Sequence, residues 1–147
     1  MNSTADAPAR STHICLLFRQ IRDGLAERLE QDLANSGYPI NLSQFLVLRK
    51  LAALGPMSAI DLARAVDHNP GAMTRLLDRL EEMGYLRRAP HAGDRRALRI
   101  ALTPTGLALS DELSACGDRI AEHALRSLSP EERERFLGLL ERVHASL

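Results

Sequence analysis

Apolar residues return every three or four positions along most of this chain. Between His13 and Ala34 the repeating set is Ile14, Leu17, Phe18, Ile21, Leu25, Leu29 and Leu33, with Arg19, Arg22, Asp23, Glu27 and Glu30 between them. That spacing predicts an amphipathic helix, which Gly37 and Pro39 bring to a stop. A second helix is expected from about Ser43, a good capping residue, with Phe45, Val47, Leu48 and Leu51 inward and Gly55-Pro56 at its end. A short third helix follows. Ser58 can cap it, Asp61 stands three residues on, and Met57 and Leu62 can staple its start. Asn69-Pro70 then marks a clear helix start, because Pro at the first helical position gives up only an N–H that would be unpaired anyway. Met73, Leu76, Leu77, Leu80 and Met83 form the buried stripe of that fourth helix, and Gly84 can close it in a left-handed conformation.

At Tyr85 the period changes to two. Tyr85–Ala89 and Ala97–Leu102 read as two strands, with Leu98, Ile100 and Leu102 on one face and Ala97, Arg99 and Ala101 on the other. A turn over residues 91–95, with Gly93 in it, joins them, and Pro90 suits the edge of a hairpin. Helical spacing returns at Thr103-Pro104. A long fifth helix is expected to about Ser127, carrying Leu107, Leu109, Leu113, Cys116, Ile120 and Leu125. Ser129-Pro130-Glu131-Glu132 is a full capping box for a sixth helix, expected to bury Phe136, Leu139, Leu140 and Val143.

The fold class is therefore mostly α with a small β-hairpin wing: a winged helix-turn-helix flanked by N- and C-terminal helices. Expected divisions are a disordered tail over 1–12, an N-terminal dimerisation helix over 13–40, a DNA-binding lobe over 41–104 and C-terminal dimerisation helices over 105–147. The terminal helices carry apolar stripes that a chain of 147 residues gives little to pack against, which points to a second copy. No apolar run approaches the ~20 residues of a membrane span, and the start lacks the basic-then-apolar pattern of a signal peptide. The cytoplasm is the expected location, with no membrane partner.

Charge changes the picture. The 19 basic and 19 acidic residues cancel, which at first argues against nucleic acid. Their placement argues the other way. Arg87, Arg88, Arg95, Arg96 and Arg99 crowd one short stretch against a single acid, Asp94, while the last third of the chain is acidic. A short helix, a tight turn and a longer helix form the unit whose second helix enters the major groove of DNA. With the apolar stripe inward, Ala72, Arg75 and Arg79 lie opposite it and Thr74 flanks them. Small residues at the helix start let the backbone come close, and Arg75 can fork onto a guanine edge or a phosphate. A solvated face, with Arg75 or Arg79 paired to Glu82, accounts for this helix equally well taken alone. The hairpin shifts the balance, because a tip bearing Arg95 and Arg96 can place arginine in the minor groove. Asp94 is expected to pair with Arg96 and fix its rotamer. A charged, solvated turn is the bland alternative.

No Gly-rich phosphate loop, zinc-ligand spacing or nucleophile elbow is present, and the five histidines are scattered. The chain is not expected to be an enzyme, and no cofactor or metal is expected. A winged-helix protein-interaction module is the rival reading. It would more naturally expose apolar residues where this chain places arginines.

Residues 43–106 resemble the winged-helix core of the MarR family of bacterial transcriptional regulators. The matching stretches are Leu42–Leu48, Ile60–Ala63, Pro70–Leu86 and, most specifically, Asp94–Gly106, the family's wing and following-helix pattern. The resemblance implies a homodimer whose first and last helices interlock, on a palindromic double-stranded operator. It assigns Thr74 and Arg75 to the major groove, Arg79 to the DNA backbone, and Arg96 with Arg95 to the minor groove. It also implies a repressor released by a small phenolic or amphipathic inducer, pointing to His13, Phe18, Arg19 and Phe45. The plain alternative makes Phe18 and Phe45 core, Arg19 a solvated charge and His13 a helix end. One branch of the family senses peroxides through a cysteine near the start of the first helix. Cys15 sits similarly, with Cys116 as a partner in another chain. That branch supports its thiol with tyrosines, whereas the tyrosines here are Tyr38 and Tyr85, so inert buried cysteines are the simpler reading.

Overall fold

The computed structural model describes residues 7–91 and 93–147, with the side chains of 7–9, 91 and 94–97 left aside. Over the described residues the chain forms six helices and one hairpin: α1 (Ala7–Asn35), α2 (Leu42–Leu54), α3 (Ala59–Ala65), α4 (Pro70–Glu82), β1 (Leu86–His91), β2 (Asp94–Leu102), α5 (Pro104–Ala124) and α6 (Pro130–Ala145). None of these helices is long and apolar enough to cross a membrane.

Local chemistry sets most of the boundaries. Ser58 accepts a hydrogen bond from the Asp61 amide, Asn69 from the Gly71 and Ala72 amides, and Thr103 from the Gly106 amide. At α6, Ser129 and Glu132 form the reciprocal capping box. Three boundaries differ from expectation. Helix α2 is capped by Asn41, which makes a capping box with Gln44. Ser43 instead lies inside the first turn. Helix α1 begins at Ala7 and so takes in half of the segment expected to be a tail. Alanine is a strong helix former and Pro8 is tolerated in a first turn. The strands are also longer than the sequence pattern gives, because pairing resumes beyond an irregularity at Pro90, with His91 opposite Asp94. Residues 95–97 of β2 are the excess that this register shift accommodates. Asp94–Arg96 are thus strand backbone rather than turn.

One core holds the middle of the chain. Leu62, Met73, Leu77, Leu80, Leu86 and Ile100 bring α3, α4 and the hairpin together, and Phe45, Val47, Leu48 and Leu51 of α2 meet Leu109, Leu113, Cys116 and Ile120 of α5. Leu29 and Leu33 join from the second half of α1. The turn after α4 and the start of α5 meet at a tight knot. The Thr103 hydroxyl donates to the Gly84 carbonyl, and the Thr103 amide to the Tyr85 carbonyl. Gly106 is packed so closely there that a Cβ would overlap the Tyr85 carbonyl. At the α5–α6 corner, Arg133 donates to the carbonyls of Leu125 and Leu128 and forks onto Glu122, satisfying groups that a helix end leaves bare.

The terminal helices depart from expectation. Helix α6 buries nothing within the chain, and Phe136, Leu139 and Val143 are exposed, against the burial that their spacing predicts. The reason is positional: past its corner with α5, this helix packs closely on no other element among the described residues. The first half of α1 is alike, with Ile14, Leu17, Phe18 and Ile21 all exposed.

Candidate nucleic-acid interface

The turn between α3 and α4 is sharp because Asp67 takes a left-handed conformation (φ 50°) and the His68 amide donates back to the Ala63 carbonyl at 2.8 Å. Asp is among the few non-glycine residues that tolerate this geometry. Helix α4 leaves the turn with Asn69 as its cap and Met73, Leu77 and Leu80 buried. Ala72, Thr74, Arg75 and Arg79 consequently all face solvent. Arg75 has no ion pair among the described residues, whereas Arg79 pairs with Glu82 at 3.3 Å. The paired-face alternative therefore holds for Arg79 and leaves Arg75 unengaged.

The wing stands beside α4. Leu86 and Ile100 on its inner face are buried, and its outer face exposes Arg87 and Arg99. The wing is tied to the α2–α3 turn by a bridge between Met57 and Ile100, whose amides each donate to the other's carbonyl. Arg99 also reaches the Pro56 carbonyl at 3.4 Å. The side chains of Asp94, Arg95 and Arg96, and with them the expected Asp94–Arg96 pair, lie outside the described residues; their backbone places them at the far end of the hairpin. Arg88 is not part of a free basic patch. It turns to the inner face and pairs with Asp78 and Glu81.

These features make one surface: an exposed helix face carrying Arg75, next to a hairpin of defined orientation. The model of the MarR family matches residues 40–98, the helix-turn-helix and most of the wing, and solved structures extend the likeness over nearly the whole chain. A probable transcriptional regulator from Pseudomonas aeruginosa is 28% identical with a TM-score of 0.80, over 88% of this chain and 96% of that one. BpsR of Bordetella bronchiseptica, whose DNA binding is regulated by 6-hydroxynicotinic acid, is 25% identical with a TM-score of 0.80, over 89% and 92%. MepR of S. aureus, solved with DNA, is 27% identical with a TM-score of 0.81, over 90% and 97%.

The residues whose sequence pattern points to a ligand or to redox chemistry do not gather in one place. His13, Cys15, Phe18 and Arg19 stand on the exposed half of α1, whereas Phe45 is buried in the core, with its ring beside Gly117 of α5. Phe45 is thus a core residue, and Phe18, at 46% exposure, is not one within this chain. The two cysteines also differ. Cys15 is exposed and Cys116 is fully buried. Burial, helped by the neighbouring Asp32 carboxylate, pushes the Cys116 thiol up to about 12, so it stays protonated and a poor nucleophile. Asp32 is itself held below the usual carboxylate range by hydrogen bonds from Arg119, then from Cys116. Arg119 also reaches Glu112 at 3.0 Å, so this cluster pins the second half of α1 to α5. An open depression of about 540 Å³ on α5 is lined by Asp118, Arg119, Glu122, His123 and Arg126, none of them a residue that the sequence singled out. Scattered charges on a helix gave no periodic signal that could have pointed to it.

Proposed function

We propose that this chain is a MarR-family regulator that binds double-stranded DNA as a homodimer in the cytoplasm, with α4 in the major groove and the tip of the wing in the minor groove. The observation that carries the proposal is Arg75, exposed and without an ion pair among the described residues, on a helix whose opposite face is locked into the core. Ala72 and Thr74 sit against the groove floor, Arg75 reads a base edge or a phosphate, Arg79 exchanges Glu82 for the backbone, and Arg95 and Arg96 enter the minor groove. The exposed faces of α1 and α6 are the surfaces on which a second copy would pack. A two-fold dimer would set its two recognition helices one DNA turn apart, about 34–36 Å.

The regulator is read as a repressor that a small amphipathic ligand releases. DNA binding in the similar BpsR is regulated by 6-hydroxynicotinic acid. Here, His13, Phe18 and Arg19 would line a site completed by the partner chain. For the thiol-based alternative, the exposure of Cys15 is favourable, while the buried, protonated Cys116 is a poor resolving partner.

The test is a fluorescence-anisotropy titration against duplex DNA from upstream of the protein's own gene, at several salt concentrations and with excess random competitor. Saturable binding that survives the competitor, and that falls steeply with salt, is the expected result. Arg75→Ala should cost about 1–3 kcal/mol if Arg75 reads a base. Equal affinity for random DNA would contradict sequence-specific binding.

A further inference from the structure

The hairpin and α4 are joined by more than the short turn between them. Arg88 stands opposite Ile100 and two residues past the buried Leu86, so it shares the inner face of the wing. From there its guanidinium reaches across to α4, with Nη2 2.8 Å from Asp78 and Nη1 2.9 Å from Glu81. The side chain of Arg88 is 24% exposed, against 56% for Asp78 and 45% for Glu81. The cation is therefore the sheltered member and the two acids close over it. Thr74, Asp78 and Glu81 occupy i, i+4 and i+7 of α4 and line one flank of the helix. A planar fork with two fixed donor directions holds such a flank at a defined angle, which the point charge of a lysine does not do. On the other edge of the hairpin, the Met57–Ile100 bridge fixes β2 to the α2–α3 turn.

We propose that Arg88 is a positioning residue for DNA recognition: by clamping Asp78 and Glu81 it sets the angle between wing and α4 at which the major-groove and minor-groove contacts form together. This rests on the DNA-binding reading above. It also explains two acids on the very helix that would enter the groove. Bare carboxylates there would repel phosphates, and their use is to hold the wing.

The sign of one variant separates positioning from charge. Asp78→Asn with Glu81→Gln removes two negative charges, so electrostatics alone tightens binding to every duplex. If the clamp sets the angle, the same variant weakens binding to the specific site, about tenfold or more (about 1.4 kcal/mol), while affinity for random duplex holds or rises. Arg88→Met, which keeps the apolar stem, should weaken specific binding to a similar degree. In an Arg96→Ala background, where the wing-tip contact is already gone, its further effect should shrink to less than about threefold, the non-additivity expected of coupled groups.

The experiment measures these variants and the wild type by anisotropy on a duplex selected by the wild type from a random library and on a scrambled duplex. Urea midpoints report whether each variant is folded. Specific binding that tightens in Asp78→Asn/Glu81→Gln, or an Arg88→Met effect that is fully additive with Arg96→Ala, overturns the positioning role and leaves the DNA-binding reading standing. If Arg88→Met does not fold, the Asp78→Asn/Glu81→Gln result decides alone. A wild type that selects no duplex overturns both.

Discussion

The helix-turn-helix lobe and the terminal helices are written in the same Leu- and Ala-rich language, yet they end in opposite states. In the lobe, the apolar stripe of α4 meets α3 and the hairpin, and Met73, Leu77 and Leu80 are almost wholly buried. In α6 an equally regular stripe buries nothing, and α1 changes from exposed at Ile14–Ile21 to buried at Leu29 and Leu33. Helical periodicity states which residues seek cover. It does not state which chain supplies the cover. A stripe left open on a helix this regular is most simply a face for another molecule, since monomeric proteins rarely expose large contiguous apolar patches.

The sharpest way to break that contrast is to truncate one residue on each side. Leu77→Ala should destabilise the fold by about 2–5 kcal/mol, as for a buried leucine, at any protein concentration. Phe136→Ala should change little when the chain is dilute and should lower the urea midpoint in a concentration-dependent way where a dimer forms. Equal, concentration-independent losses from both would show that α6 is covered within its own chain. Next in size is Gly106→Ala, which forces a methyl group into the Tyr85 carbonyl. A loss of about 1–3 kcal/mol is expected for such overpacking, read by urea denaturation, and a neutral result would mean that the knot at the start of α5 can open cheaply.

The junction between the two regions gives smaller effects. Asp32 is held below its ordinary range by Arg119, so its contribution is fully present above the ordinary carboxylate value of about 3.9. That contribution is lost as pH falls through the lowered value. A modest acid loss of stability below about pH 4 is expected, and Asp32→Asn should remove that component; an unchanged acid profile would exclude the Asp32–Arg119 pair as its source. Cys116 should resist a thiol-specific reagent at neutral pH. In a Cys15→Ser variant no thiol should react until denaturant is added, and rapid labelling of the native protein would show that the α1–α5 contact opens.

What the sequence revealed, and what it hid, follows the range of the interactions involved. Caps are local, so Ser58, Asn69-Pro70, Thr103-Pro104 and Ser129–Glu132 could be read directly. Asn41 and Ser43 are both good capping residues two positions apart, and only the reciprocal bond to Gln44 separates them. The wing was legible as a hairpin, but its length was not, because the irregularity at Pro90 breaks the alternation on which strand reading depends. The exposed face of α4 followed from its stripe. The clamp from Arg88 did not, since its partners lie seven and ten residues away across a turn. In the sequence, Arg88 counted as one more free positive charge. The burial expected of α6 failed because periodicity does not say which chain supplies the cover.

In the proposed complex two copies, joined through those open faces, present two α4 helices to one stretch of DNA. Hydroxyl-radical footprinting of the saturated complex, paired with a stoichiometric titration, tests it most directly. Two chains per site and two symmetric protected segments about one helical turn apart, near 10–10.5 base pairs, are the expected result. One chain per site, or protection without two-fold symmetry, would contradict it.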